Sequence, residues 1–205
     1  MSFKIFKNTV LLFVLILISC GSGNKSEDGS AKLEVTDSVE KEIVVGANRT
    51  SEYLPLLNGK RVGIVANQTS VIYKEDNSYT HLVDSLLTLN VDIKKVFSPE
   101  HGFRGNVDAG EHVKDGIDTK TRLPIISLYG DNKKPKIEQL EDLDILIFDI
   151  QDIGVRFYTY ISTLHYLMEA CAENNIPLII LDRPNPNGNY IDGPTMEKEH
   201  QRFLG

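Results

Sequence analysis

The fold of this chain is decided by residues 145–160, ILIFDIQDIGVRFYTY. The first four residues form an unbroken apolar run, which is typical of a strand buried on both faces of a parallel sheet. Polar side chains follow at once, at Asp149, Gln151, Asp152 and Arg156. Because open α/β sheets bind ligands beyond the carboxyl ends of their strands, this stretch predicts one wall of a functional site.

Strand and helix patterns alternate on both sides of this stretch, which predicts an α/β fold with an open, parallel, doubly wound sheet. We found no GxGxxG or GxxxxGK[ST] motif after the first strand, which excludes dinucleotide and P-loop sites. Strands are predicted at residues 61–66, 93–97, 123–129, 145–150 and 177–181. Helices are predicted at 79–87, 136–143 and 158–172, the last with a core stripe of Ile161, Leu164, Leu167, Met168 and Cys171.

The amino terminus predicts a lipoprotein signal peptide at residues 1–19. Two lysines precede a short apolar run, which is too short to span a bilayer as a permanent helix. The run ends in Leu-Ile-Ser-Cys, which resembles a bacterial lipobox with Cys20 as the lipidated residue. Residues 20–42 are rich in Gly, Ser and charged residues and predict a flexible tether. We therefore expect an exported, lipid-anchored protein of the cell envelope with a folded domain at 43–205.

The composition limits the expected partners. The chain has 29 acidic and 22 basic side chains, a net charge of −7, and loss of Lys4 and Lys7 with the signal peptide makes it −9. An acidic surface disfavours binding to a phosphate backbone, so nucleic acid is not an expected partner. Once Cys20 is acylated only Cys171 remains, so no disulfide framework or CxxC metal site is expected. No cofactor is expected, and the membrane is a partner through the anchor alone.

Polar clusters follow four of the predicted strands, at residues 67–70, 98–104, 149–156 and 182–185. The carboxyl ends of parallel strands lie at one edge of a sheet, so these clusters are expected to converge there. Asn67 and Asn185 are accordingly predicted to bind substrate.

Glu100 is the predicted general acid. It lies in SPEHGFRG, residues 98–105, with Gly102 and Gly105 allowing tight turns. A carboxylate partly withdrawn from water can donate a proton near neutral pH. The neighbouring His101 could orient it. The alternative is a loop salt bridge between Glu100 and Arg104.

Two further carboxylates, Asp149 and Asp152, are candidates for the second catalytic group, as a base or as an electrostatic stabiliser. The other carboxylate could hydrogen-bond sugar hydroxyls, and Gln151, which lies between the two, is predicted to bind substrate. The alternative is that Asp152 caps the following turn and Asp149 pairs with Arg156. Tyr158 and Tyr160 offer a stacking face for a sugar ring, although Tyr160 also fits the helix core.

The remaining histidines make weaker cases. Asp108, Glu111 and His112 offer possible ligands, but their spacing matches no closed metal signature, so no metal is expected. His165 is predicted to be a structural residue of the last helix. His81 is predicted to lie on a helix surface without a function.

Four motifs together identify a family: GIVANQTS (63–70), SPEHGFRG (98–105), DIQDIGVRFYTY (149–160) and LDRPNP (181–186). In this order they resemble the exo-β-N-acetylmuramidases of the NamZ type. The resemblance implies a Rossmann-like amino-terminal domain and release of terminal N-acetylmuramic acid from peptidoglycan fragments. It also implies that the catalytic glutamate of the family is Glu100.

The resemblance carries two further expectations. Family members have a carboxy-terminal domain after the Gly-Pro segment found here at 193–194, and the sequence to Gly205 does not contain it. N-acetylmuramic acid carries a lactyl carboxylate, and one of Arg104, Arg156 and Arg183 is expected to bind it. Alternative functions are a non-catalytic muropeptide-binding lipoprotein, an inactive fragment of the enzyme, and a serine esterase. The esterase is disfavoured because no GxSxG motif occurs.

Overall fold

One six-stranded sheet and one small two-stranded sheet make up the framework of this protein. The computed structural model describes residues 43–106, 108, 110–111 and 113–200; the predicted signal peptide, Cys20, the tether and His112 lie outside the described residues. The strands in this part of the chain are β1 Val62–Ala66, β2 Val71–Tyr73, β3 Tyr79–His81, β4 Ile93–Ser98, β5 Gly116–Ile117, β6 Pro124–Ser127, β7 Ile145–Asp149 and β8 Leu178–Ile180. The α-helices are α1 Thr50–Tyr53, α2 Leu82–Thr88, α3 Ile137–Leu140 and α4 Tyr160–Asn174.

The large sheet has the order β5-β6-β4-β1-β7-β8. Its strands are parallel except β5, which pairs antiparallel with β6 at one edge. The chain runs outward from β1 through β4 to β6 and then crosses back to β7 on the other side of β1. Such a reversal leaves a crevice at the carboxyl ends of the central strands. The predicted Rossmann-like, mainly parallel sheet is confirmed.

Two apolar clusters cover the two faces of this sheet. Ile64 of β1 belongs to the cluster that contains α2, whereas the next residue, Val65, belongs to the cluster that contains α4. This alternation is the period-two pattern of a strand buried on both sides. Gly63 is required there, because a Cβ would lie 2.6 Å from Leu146 Cδ2 and 2.7 Å from Leu143 Cδ1.

The buried face of α4 differs from the predicted stripe. Ile161 and Met168 are 56% and 50% exposed, while Thr163 and Ala170 are buried with Cys171. The three- and four-residue spacing is correct, but apolar residues occur on several sides of this helix, so spacing alone cannot select the face that packs on the sheet. The helix also begins at residue 160 rather than 158. The prediction that Cys171 is a core residue is confirmed.

The segment after β1 differs most from the prediction. Residues 79–81 pair with β2 in a hairpin instead of beginning a helix. Helix α2 therefore begins at Leu82, and the Nδ1 atom of His81 accepts a hydrogen bond from the Val83 N–H at 3.3 Å. His81 is buried, so the prediction of a helix-surface histidine was wrong. Residues 79–81 are extended because they pair with β2. The helical spacing of the apolar residues gives no information about this pairing.

The long predicted loop at 98–122 also holds a short strand, β5. Two residues are too few to produce a recognisable strand pattern. Within the described residues, no helix combines the length and the apolar character needed to cross a membrane.

Candidate active site

Loops that follow β1, β4 and β7 meet at one edge of the sheet, and we call residues 67–70, 99–104 and 150–160 together the rim. The Gln151 N–H donates to Thr69 Oγ1 at 3.0 Å, which joins the β7 loop to the β1 loop. Gln151 Nε2 donates to the Pro184 carbonyl at 3.0 Å, which adds the loop after β8. The Thr159 hydroxyl donates to Glu100 Oε2 at 2.9 Å, which adds the loop after β4. The predicted convergence of the four polar clusters is therefore confirmed.

Glu100 lies in the rim and its carboxylate accepts three hydrogen bonds. The Tyr129 hydroxyl and the Gly110 N–H donate to Oε1, at 3.0 and 3.1 Å. The Thr159 hydroxyl donates to Oε2 at 2.9 Å. Donors from three separate segments thus fix the orientation of this carboxylate. Glu100 does not form the alternative salt bridge with Arg104, which binds other carboxylates.

Tyr129 and Thr159 were not among the predicted site residues. Tyr129 follows β6, so the rule that polar groups at strand ends converge could have found it. Burial, together with the hydrogen bond to Glu100, raises the pKa of Tyr129, which keeps its hydroxyl protonated and able to donate. Thr159 lies within the motif at 149–160, but no local pattern shows that its hydroxyl points to Glu100.

The backbone turns sharply after Glu100. His101 and Gly102 both have left-handed conformations, with φ of 69° and 80°. A positive φ is uncommon for a residue other than glycine and is concentrated at functional sites. His101, a predicted substrate-binding residue, is partly buried directly beside Glu100.

Asn67 is fully buried at the end of β1. Its Oδ1 accepts hydrogen bonds from the Thr69 N–H at 2.8 Å and the Thr69 hydroxyl at 2.6 Å. Its carbonyl oxygen bonds to Nε2 of His81 at 3.0 Å. The Nδ2 atom of Asn67 has no hydrogen-bond partner among the described residues. The Asn67 side chain lies against Tyr160 and lowers the pKa of that tyrosine, so it supports the rim from within.

Aromatic side chains line one side of the rim. Tyr158 is 38% exposed and contacts the buried Tyr160 edge to face, with ring centroids 6.1 Å apart. Burial raises the pKa of Tyr160; the side chains of Asn67 and Gln68 oppose this shift, and the charge of Glu100 adds to it. Tyr160 is therefore a core residue, as the alternative interpretation had it, while Tyr158 offers an accessible ring face.

The three predicted arginines have different environments. Arg104 binds both Asp84 and Asp118, with Nη2 to oxygen distances of 3.0 and 2.8 Å. Arg183 is buried against Asp149, with Nε 2.6 Å from Oδ1 and Nη2 3.0 Å from Oδ2. Arg156 is exposed, and it has no hydrogen bond or ion pair with another described residue.

The two candidate aspartates also differ. Asp149 is fully buried and both its oxygens bind Arg183, so its expected pairing with Arg156 does not occur and it does not reach the surface of the rim. Asp152 Oδ2 accepts the Gly154 N–H at 2.9 Å, which is the predicted turn cap. Its Oδ1 is buried with no partner among the described residues. Only Asp152 therefore has a free carboxylate oxygen.

Asn185 is exposed and packs on the β7 loop. Its Oδ1 accepts the Asn187 N–H at 2.9 Å, and a Cβ on Gly154 would lie 2.2 Å from its Nδ2. The predicted substrate ligand Asn185 thus supports the loop that carries Arg156.

A cavity of about 480 Å³ lies beside β8 and not at Glu100. A second, of about 410 Å³, lies between Gln68, His81 and Arg104. Glu100 itself is partly buried. One group of possible metal ligands, Glu197, Glu199 and His200, is found among the described residues, all exposed and away from the rim motifs.

Comparison with known proteins identifies the family of this chain. Residues 62–205 match the family model described as exo-β-N-acetylmuramidase NamZ, N-terminal. The chain is 42% identical over 203 residues to the peptidoglycan β-N-acetylmuramidase NamZ of Bacillus subtilis (strain 168), covering 98% of this chain and 46% of that protein. The chain thus spans about half the length of this relative.

Two crystal structures of DUF1343 family proteins from Bacteroides fragilis NCTC 9343 have a similar fold. Each superposes with a TM-score of 0.66, at 44% and 42% identity. The matches cover 80% and 78% of this chain, and 41% and 40% of the two solved chains. By its matched motifs and its sheet, this chain belongs to the NamZ family of exo-β-N-acetylmuramidases, over the N-terminal part of that family.

Proposed function

We propose that this chain carries the catalytic residues of a glycosidase that releases terminal N-acetylmuramic acid from peptidoglycan fragments during cell-wall turnover. The relative from Bacillus subtilis is a peptidoglycan β-N-acetylmuramidase by name. The observation that carries the proposal is the Glu100 carboxylate, which three donors hold in one orientation just beyond the carboxyl end of β4.

Glu100 acts as the general acid in this proposal. Its Oε1 accepts a backbone N–H, which cannot reverse its direction, as well as the Tyr129 hydroxyl. Its Oε2 accepts the Thr159 hydroxyl, which can rotate and accept instead. We therefore assign the transferable proton to Oε2. Transfer of this proton to the glycosidic oxygen breaks its bond to the anomeric carbon through an oxocarbenium-like transition state, and water adds its oxygen to that carbon and loses a proton, which releases the sugar.

Asp152 is the proposed stabiliser of that positive charge. Its Oδ1 has no hydrogen-bond partner among the described residues, whereas both oxygens of Asp149 are neutralised by Arg183. The exposed ring of Tyr158 offers an apolar face against which the sugar can stack. Gln151, which is partly buried at the rim, is the proposed polar contact to sugar hydroxyls or to the acetamido group.

The test is Glu100→Gln, assayed with a chromogenic β-N-acetylmuramic acid glycoside. We expect kcat to fall by about two orders of magnitude or more, because the amide cannot donate the proton, with binding retained. Glu138→Gln, an exposed position on α3, is the matched control and should leave kcat unchanged. Near-normal turnover by Glu100→Gln contradicts the assignment. Binding without any sugar release by the unmodified chain favours the muropeptide-binding alternative.

Export and lipid anchoring through Cys20 are a further part of the proposal, supported by the lipobox-like sequence. An envelope location suits a substrate that is made of cell wall. Replacement of Cys20 by Ser should shift the protein from the membrane fraction to the soluble fraction. Unchanged membrane association of this variant contradicts the anchor.

A further inference from the structure

N-acetylmuramic acid differs from N-acetylglucosamine by a lactyl ether that ends in a carboxylate. A site that selects the first sugar needs a positively charged group for this carboxylate, and arginine can bind it through two parallel hydrogen bonds. Building on the function proposed above, we infer that Arg156 binds the lactyl carboxylate and determines the specificity for muramic acid. Arg156 is thus a substrate-binding residue.

The other two arginines at strand ends are already neutralised. The guanidinium of Arg104 forms four contacts of 2.8–3.4 Å with Asp84 and Asp118 and lies 4.3 Å from the Phe103 ring centroid. Arg183 is buried against Asp149 and also donates to the Val71 carbonyl at 2.8 Å. Removing either guanidinium from its carboxylate partners to bind a ligand would leave those carboxylates unpaired.

Arg156 is the exception in this part of the chain. It is exposed, and neither a hydrogen bond nor an ion pair joins it to another described residue. The guanidinium of Arg156 lies near Gly193. A Cβ added to this glycine would be 3.9 Å from Nη2 of Arg156. All the N–H donors of an exposed guanidinium can bind a ligand. In contrast to Arg104 and Arg183, Arg156 does not have to break an ion pair to do so.

The loop that carries Arg156 is fixed on both sides of this residue. The Ile153 carbonyl accepts a hydrogen bond from Asn187 Nδ2 at 2.8 Å, and the Tyr158 N–H donates to the Val155 carbonyl at 2.9 Å. Gly154 has a φ of +68°, and its lack of a Cβ makes room for Asn185. The loop thus presents Arg156 in a defined place, which reduces the entropy lost on binding.

This place is close to the proposed acid. Arg156 precedes Thr159 by three residues, and the Thr159 hydroxyl contacts Glu100 Oε2 at 2.9 Å. The Cα atoms of residues 156 and 159 are therefore at most about 11 Å apart, at 3.8 Å per residue. The exposed Tyr158 lies between them in sequence. A sugar stacked on Tyr158 can bring its glycosidic oxygen to Glu100 and its lactyl group to Arg156.

The experiment compares binding of N-acetylmuramic acid with that of its methyl ester, by calorimetric or NMR titration of the full chain. The ester keeps the shape of the lactyl group but loses its charge. We expect the unmodified chain to prefer the acid by about tenfold or more, as for a charge-assisted hydrogen bond. Arg156→Gln should abolish this preference with little effect on the ester, and Arg156→Lys should keep part of it. Arg49→Gln, an exposed arginine beside the β8 cavity, is the control.

The inference and the proposed function fail in different ways. If Arg156→Gln retains the preference, or if the unmodified chain shows none, Arg156 does not bind the lactyl carboxylate, whether or not sugar is released. If the preference is present and depends on Arg156 but no glycoside is cleaved, the specificity site stands and the proposed catalysis fails. Equal losses for acid and ester in Arg156→Gln also contradict the inference, because they indicate general damage to the site.

Discussion

Asp149 and Arg183 form an ion pair whose side chains are 0% and 2% exposed. Burial raises the pKa of Asp149 and the Arg183 charge opposes this shift, so the partner is what keeps the carboxylate ionised. Both residues had been expected to act on substrate. Their geometry assigns them instead to holding the ends of β7 and β8 together below the rim.

Replacement of Asp149 by Ala should therefore destabilise the protein strongly. An unpaired buried guanidinium costs about 3–5 kcal/mol in the free energy of unfolding, which urea titration can measure. The control is Asp144→Ala, which removes the partner of Arg61 in a pair whose side chains are 43% and 33% exposed. We expect about 1 kcal/mol or less there. Similar losses in the two variants would contradict a structural role for Asp149.

At the scale of elements, His81 connects the β2–β3 hairpin, α2 and the rim. Its Nδ1 accepts the Val83 N–H, so the proton is on Nε2, which donates to the Asn67 carbonyl. Burial lowers the pKa of His81; the nearby Arg104 lowers it further, while the Asn67 carbonyl, Asp84 and Asp118 oppose this. The neutral ring is the form that caps the helix.

This cap predicts that stability falls in mild acid. The unfolded chain binds a proton at His81 near pH 6.5, while the folded chain does so only at lower pH. The contribution of His81 to the free energy of unfolding should therefore be greatest above about pH 6.5. It should decrease as the pH falls below this value, by at most about 1.4 kcal/mol per pH unit. Urea titrations at pH 7.5, 6.5 and 5.5 measure this slope.

His81→Gln should remove the part of the pH dependence of the unfolding free energy that comes from His81. It should also remove the helix cap formed with the Val83 N–H. His165→Gln is the matched control, because His165 is 69% exposed on α4. A slope that is unchanged in His81→Gln, or lost in His165→Gln, would show that another group titrates.

The long segment between β4 and β6 contains only the two-residue strand β5. Ion pairs fix its position on the rest of the domain. Arg104 joins Asp84, at the start of α2, to Asp118, close to β5. Although burial opposes it, hydrogen bonds from Arg104 and Thr121 lower the pKa of Asp118 to about 2. A loop tied in this way can hold Glu100 in place without a strand or helix of its own.

At the scale of the whole molecule, residues 45–57 are part of the folded domain. Both apolar clusters are built from residue 45 onward, and Ala47, Tyr53 and Leu57 are buried in the first. The Gly46 N–H also donates to the Asp182 carbonyl at 2.7 Å. Because the composition of residues 20–42 predicts a tether, we expect the domain to keep its stability when the residues before 43 are removed.

A chain that begins at residue 43 should melt within about 2 °C of the full chain in a calorimetric scan. A chain that begins at residue 58 is the control and should be much less stable. It loses the buried side chains of Ala47, Tyr53 and Leu57. Burial of a large apolar side chain contributes about 1.5–3 kcal/mol to the free energy of unfolding. A substantially lower melting temperature for the first deletion would place part of the stabilising structure before residue 43.

The parts of the fold that were predictable have strong local signals. Residues 145–148 form an unbroken apolar run, which indicates a strand buried on both faces, and β1 and β4 were also predicted, at 61–66 and 93–97. The hairpin at 71–81 and strand β5 were not recognised, because short strands depend on partners far along the chain. Glu100 was found from its motif, whereas Tyr129 and Thr159 were not, since their role is a contact across 29 and 59 residues.

The sequence by itself determined the alternation of strands and helices, the family and the polar groups at the strand ends, because these follow from local periodicity and from motifs. Only the tertiary structure decided which charges are available. Arg104, Arg156 and Arg183 look equivalent in sequence, yet two are neutralised by carboxylates that long-range folding brings to them. The same holds for Asp149 and Asp152. Pairing and burial depend on distances between remote segments, and these determine whether a charged group supports the fold or faces a ligand.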